Sequence, residues 1–77
     1  MIKKTVTIPA DIGHIVRMKR KQDGLTLIEA AALCNVGYRF FSDLENGKTS
    51  VHLGKVLQVL QNLGIEVVLS TKGNSDE

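Results

Sequence analysis

The sequence predicts a mainly α domain of four to five short helices, closed by a short C-terminal β-strand. Three observations predict it. Apolar residues recur at helical spacing through residues 11–22, 26–45 and 53–63. The stretch 26–48 holds two helices separated by only a few residues. After Gly64, the run Ile65-Glu-Val-Val-Leu-Ser70 leaves the helical period for one typical of strands. The 77 residues suffice for one small core and not for two, so association with a second copy is a natural source of stability. The chain divides into an arm or short strand over 1–9, a helical domain over 10–64, a strand over 65–70 and a flexible tail over 71–77.

Residues 2–8 are rich in β-branched types and set Ile2, Val6 and Ile8 on one side, a short strand or extended arm stopped by Pro9. Lys3 and Lys4 guard an exposed edge or, alternatively, approach an anionic partner. Asp11 to Gln22 reads as the first helix, with Ile12, Ile15, Val16 and the stem of Lys19 on its buried face. Ala10 or Asp11 starts it and Asp23-Gly24 stops it.

The second helix follows Thr26 as N-cap and buries Ala30, Ala31, Leu33 and Cys34. Asn35 tolerates a left-handed turn, and Gly37 opens a third helix striped by Phe40, Phe41 and Leu44. Asn46-Gly47 ends it. After a polar connection carrying Val51, the residues Leu53, Val56, Leu57, Leu60 and Leu63 stripe a final helix, with Gly64 as its cap. Val59 lies off the centre of that stripe. A strand over 65–70 needs a partner. Either residues 2–8 of the same chain supply it, or the same strand of a second subunit does, making a two-fold dimer through Ile65, Val67, Val68 and Leu69.

Composition narrows the function classes. The formal net charge of +2 with a pI near 8.9 hints at an anionic partner without the excess of a nonspecific coating protein. Lys3, Lys4, Arg17, Lys19, Arg20 and Lys21 crowd the first third, whereas Asp76 and Glu77 sit at the end. Cys34 is the single cysteine, and its apolar helix face favours an inert core thiol over a redox sensor. Without a secretory or transmembrane pattern, the expectation is a cytoplasmic protein with no membrane partner. His14 and His52 lack metal-ligand spacing, no glycine-rich phosphate loop occurs, and no nucleophile has a matching base. Neither an enzyme nor a metal or cofactor site is expected.

Two short helices joined by a tight turn are the layout of a helix-turn-helix, whose second helix enters the DNA major groove. Arg20, Gly24-Leu25-Thr26, Ala31, Val36, Phe41, Leu44 and Glu45-Asn46-Gly47-Lys48 together resemble the Xre/Cro-type helix-turn-helix family, over residues 11–70. The ending Asn62-Leu-Gly-Ile-Glu-Val-Val-Leu69 is similar to the HipB branch, the antitoxins of HipA-type kinase modules. The resemblance implies a homodimeric repressor on a palindromic double-stranded DNA operator, autoregulating its operon and partnered by a HipA-like serine/threonine kinase toxin. It also implies that Ala31 lets two helices cross closely, that Phe41 and Leu44 anchor the second motif helix, and that Arg20 pairs with Glu45. The chain departs from the pattern at Leu27, where a glutamine is common, at Asn35, where the turn glycine is usual, and at Phe40, where a small polar residue is common.

Tyr38, Arg39, Ser42 and Asp43 lie away from the Phe41–Leu44 anchor and are the candidate base readers, with Phe40 beside them. The Arg39 fork matches the two acceptors of a guanine edge. Asp43 orients Arg39 or accepts from a cytosine amine; alternatively the two are an ordinary exposed i,i+4 pair. Thr26, Asn46, Gly47 and Lys48 are the candidate phosphate contacts, Lys48 by charge and Asn46 and Gly47 through amides. Other readings are a phage-type or restriction-controller repressor with no toxin, and a module whose helix-turn-helix binds protein.

Overall fold

A computed structural model describes residues 3–73. Four helices follow one another: α1 (Pro9–Gln22), α2 (Leu27–Cys34), α3 (Tyr38–Glu45) and α4 (Leu53–Asn62). α1 packs on α3, and α2 packs on both α3 and α4.

α1 begins two residues before Asp11. Pro9 does not stop a strand but occupies the first helical turn, where its missing N–H costs nothing and its fixed φ suits the helix. Asp11 then reaches back: its carboxylate accepts from the backbone N–H of Thr7 at 2.9 Å and of Ile8 at 3.2 Å. These bonds hold the Asp11 carboxyl below its ordinary range. α1 buries Gly13, Val16 and Arg20 and ends at Asp23.

α2 opens with a reciprocal cap. The Thr26 hydroxyl accepts from Glu29 N–H at 3.1 Å, and the Glu29 carboxylate accepts from Thr26 N–H at 2.9 Å. Its buried line runs through Ala30, Ala31 and Cys34. Leu33, expected on that face, is instead 56% exposed, because the i, i+3, i+4 spacing of the buried line leaves position 33 on the flank. Asn35 takes the left-handed conformation at φ 58°, and the N–H of Val36 closes the turn on Ala31 at 3.0 Å.

Gly37 caps α3 without a side chain, and Phe41, Leu44 and Glu45 form its buried face. In α4 the stripe is rotated from expectation. Val56, Val59, Leu60 and Leu63 are buried, with Val59 fully so, while Leu53 and Leu57 are 66% and 45% exposed. Facing α2 puts Val59 at the centre, where its carbonyl lies 3.9 Å from the Cys34 thiol. Val51 packs against the same core. His52 caps α4 by accepting Lys55 N–H at 3.2 Å on Nδ1.

Among the described residues there is no strand. Residues 3–7 and 66–70 are exposed and lie outside any regular element, and no ladder joins them; of the two partners expected for a strand over 65–70, the described residues of the 2–8 segment do not supply one. The backbone groups of an unpaired extended segment remain solvated, and a strand exists only with its partner. Ile2 and residues 74–77 of the expected tail lie outside the described residues. No described helix is long and apolar enough to cross a membrane.

Candidate nucleic-acid interface

The position of α3 is set from α1. Glu45 is the last residue of α3 and its side chain is 1% exposed. Arg20 meets it with two nearly parallel bonds, Nε to Oε2 at 2.6 Å and Nη2 to Oε1 at 3.1 Å. The remaining arm of the Arg20 fork donates to the Leu25 carbonyl at 3.0 Å. Hydrogen bonding to Glu45 holds the Arg20 guanidinium above its ordinary pKa against the burial that would lower it. A second arginine joins them. Arg17 donates from Nε to Glu45 Oε1 at 3.3 Å and from Nη2 to Asn46 Oδ1 at 3.3 Å. The family pattern concerned Arg20 alone; Arg17, one helical turn earlier, was legible only as another basic residue.

Gly13 was not singled out in the sequence, yet it decides how close α1 and α3 come. A Cβ there would lie 2.6 Å from the Glu45 carbonyl oxygen and closer still to that of Leu44. Gly47 plays the matching part beyond α3. It has φ +79°, and a Cβ on it would come within 2.9 Å of the Ala10 backbone.

Of the candidate base readers, Tyr38 is 53% exposed, Arg39 is exposed, and Ser42 and Asp43 are half-buried. At helical spacing they share the side of α3 opposite Phe41 and Leu44. Arg39 makes no ion pair among the described residues. Asp43 does not orient it: its carboxylate pairs with the Lys48 ammonium at 3.5 Å, at the surface. Phe40 packs against the core, with the Lys55 ammonium 5.8 Å from its ring centre. Its aromatic face is therefore engaged by α4, and a large ring at this position is explained by packing.

The candidate phosphate contacts change in kind. The N–H of Asn46 donates to Ser42 O at 3.0 Å and that of Gly47 to Leu44 O at 3.1 Å. Both amides are committed to the end of α3; Asn46 and Lys48 are exposed, the Asn46 side chain bonded to Arg17 and Ser42 and the Lys48 ammonium paired with Asp43. Thr26 is exposed at the start of α2. Cys34 is fully buried, and burial pushes its thiol above its ordinary pKa, as expected of an inert core residue. Gln58 and Asn62, also unforeseen, hold the turn between α2 and α3. Gln58 Nε2 donates to the Cys34 and Asn35 carbonyls at 2.8 and 3.3 Å, and Asn62 Nδ2 to that of Cys34 at 3.3 Å. Ile65 packs on the core, whereas Val67, Val68 and Leu69 are 51%, 73% and 92% exposed.

A braced helix with an exposed polar side, preceded by a capped short helix and a left-handed turn, defines a helix-turn-helix domain. The helix-turn-helix family model matches residues 16–69, and the chain belongs to that family, of the Xre/Cro type, as a transcriptional regulator. It is 47% identical over 70 residues to an uncharacterized HTH-type transcriptional regulator, y4mF, of Sinorhizobium fredii, spanning 91% of this chain and 92% of that relative. Among solved structures the fold is similar to that in a HipA–HipB–O2–O3 complex, with TM-score 0.79 and 21% identity over 92% of this chain and all of that one. A HipB–O4 20mer complex matches with the same TM-score, identity and coverage.

Proposed function

We propose that the chain is a sequence-specific DNA-binding repressor that acts as a homodimer on a palindromic operator. We further propose that it serves as the antitoxin of a HipA-like serine/threonine kinase toxin, autoregulating the operon of the pair. The observation that carries the DNA-binding reading is Arg39. It stands exposed and without an ion-pair partner among the described residues, on a helix whose end is fixed by two arginines. An arginine fork held in that way reads the O6 and N7 acceptors of guanine. Tyr38, Ser42 and Asp43 read beside it, while Phe40 supports the helix from the core. Thr26, Asn46 and Lys48 set the register on phosphates.

The homodimer is supported by apolar surface that one chain leaves uncovered. Leu53 and Leu57 of α4, Met18 of α1 and Val67, Val68 and Leu69 are all exposed. Much of this surface lines one open groove. Pairing of residues 65–70 between two copies gives the solvated segment a ladder and places two α3 helices on one operator. The antitoxin role rests on the likeness of fold to HipB.

The test measures binding of the dimer to its own promoter duplex and to a random one over a range of salt. Arg39→Ala lowers affinity for the cognate site by about 1–3 kcal/mol and relaxes preference at one base position. Lys48→Ala weakens all sequences alike and flattens the salt dependence. Identical behaviour of the two variants on both duplexes overturns this division of roles. Co-purification with the product of a neighbouring kinase-like gene tests the toxin partnership.

A further inference from the structure

Arg17 sits on α1, outside the candidate reading surface, yet a chain of three side chains leads from it to that surface. Arg17 Nη2 donates to Asn46 Oδ1 at 3.3 Å, and Asn46 Nδ2 donates to Ser42 Oγ at 3.5 Å. We infer that Arg17 is a positioning residue that fixes the hydrogen-bonding polarity of Ser42, so that Ser42 offers a donor to an acceptor atom on a DNA base edge. The inference deepens the DNA-reading function proposed above and rests on it.

A guanidinium can only donate. Facing Arg17, the Asn46 amide must therefore present its oxygen, and its NH2 group is turned to Ser42. The side chain is thus oriented by the network around it. The Ser42 oxygen then accepts, and its own O–H is left to donate. No other hydrogen bond engages that hydroxyl among the described residues; in particular it does not turn back onto a helix carbonyl, the usual fate of a serine inside a helix. Arg17 itself is fixed by its second bond, to buried Glu45, and its side chain is 46% exposed. The consequence is a preference. An outward hydroxyl donor fits N7 or O6 of guanine, N7 of adenine or O4 of thymine, and it meets a competing donor at the amine of cytosine.

The experiment profiles the affinity of the full chain for operator duplexes carrying every single base-pair change. Ser42→Ala locates the base pair that Ser42 reads, as the position where preference flattens from roughly tenfold toward none. Arg17→Met is expected to flatten that same position, whereas Arg17→Lys, which also only donates, keeps the preference. Asn46→Asp turns the Ser42 hydroxyl inward onto a carboxylate, and the preference shifts to bases offering an amine, cytosine or adenine. Thermal melts of each variant confirm that the comparison is made on folded protein, and Asn46→Asp leaves Glu45 and its arginines intact should Arg17→Met unfold. The inference is overturned if Arg17→Met lowers affinity equally for all duplexes with the profile unchanged. It is equally overturned if Asn46→Asp leaves the preferred base as it was, or if Ser42→Ala weakens every sequence alike. Loss of all sequence preference in the unsubstituted chain is a different result, and sinks the DNA-reading function itself.

Discussion

α3 is joined to α1 by charge, whereas α2 is joined to α4 by apolar packing and uncharged amides. At the first joint Glu45 accepts from two arginines, and backbone comes against backbone at Gly13. At the second, Cys34 and Val59 are fully buried against each other's helices, and Gln58 and Asn62 donate to the carbonyls that end α2. The difference teaches which joint stabilises and which one positions. Apolar burial is favourable in any orientation that excludes water. A buried ion pair adds little net stability over a well-packed apolar pair, but it is satisfied in one geometry only. The charged joint is the one that holds the helix with the exposed polar side.

The largest expected effect breaks the charged joint. Glu45→Ala leaves Arg20 buried and unpaired, and the loss is about 3–5 kcal/mol, a large part of the stability of a small domain. Thermal unfolding followed by circular dichroism measures it, and a melt unchanged by the substitution refutes the joint. Arg20→Ala strands the carboxylate instead and is expected to act in the same direction. Gly13→Ala comes next. Its methyl group would press on the carbonyls of Leu44 and Glu45, which are backbone and cannot rotate aside. The cost is about 1–3 kcal/mol. Because α1 must move off α3, the ion pair loosens as well, so the double variant Gly13→Ala, Glu45→Ala is less than additive.

Chemistry at the charged joint was half legible in the sequence. Arg20 and Glu45 stand in a pattern that the family resemblance carries, and Phe41 and Leu44 declare themselves by helical spacing. Arg17 does not, because its role depends on the angle at which α1 crosses the end of α3, which no local spacing encodes. Gly13 is hidden for the same reason: inside a helix a glycine reads as a weakness until the neighbouring backbone is seen. The α4 stripe shows a subtler failure. Leu53 and Leu57 fit a helical apolar face as well as Val59 does, and only the placement of α2 decides which side is buried. The exposed pair then belongs to surface that a single chain leaves open. Residues 65–70 carry the period and composition of a strand, yet no strand forms there among the described residues; a ladder is a property of two segments and cannot be written in one.

The uncharged joint is probed more gently. Gln58→Met keeps the length of the side chain but removes the donor to the Cys34 and Asn35 carbonyls. Water replaces the lost bond at the exposed Asn35 carbonyl, the Cys34 carbonyl keeps its bond from Asn62, and the expected loss is about 1 kcal/mol. Chemical denaturation reads it as a lower midpoint with an unchanged slope. Adding salt separates the two joints. The surface part of the Arg17 contribution is screened, while the loss in Gln58→Met stays constant, and a salt-dependent difference between Gln58→Met and the unsubstituted chain contradicts the assignment.

The smallest effect lies at the entry to the charged joint, where Asp11 ties Thr7 and Ile8 to the first turn of α1. Its carboxyl is held below its ordinary value of 3.8 chiefly by the backbone hydrogen bonds of Thr7 and Ile8. A carboxyl whose folded pKa is depressed binds protons less readily folded than unfolded. Its contribution is therefore complete above the unfolded value and is lost as pH falls through the folded one. Asp11→Asn keeps the shape of the side chain and abolishes that titration. The stability difference between the two chains is expected to be constant from neutral pH down to about pH 5 and to shrink only below about pH 4. A difference that instead grows on acidification reverses the sign of the shift, and with it the claim that Asp11 is anchored as the anion.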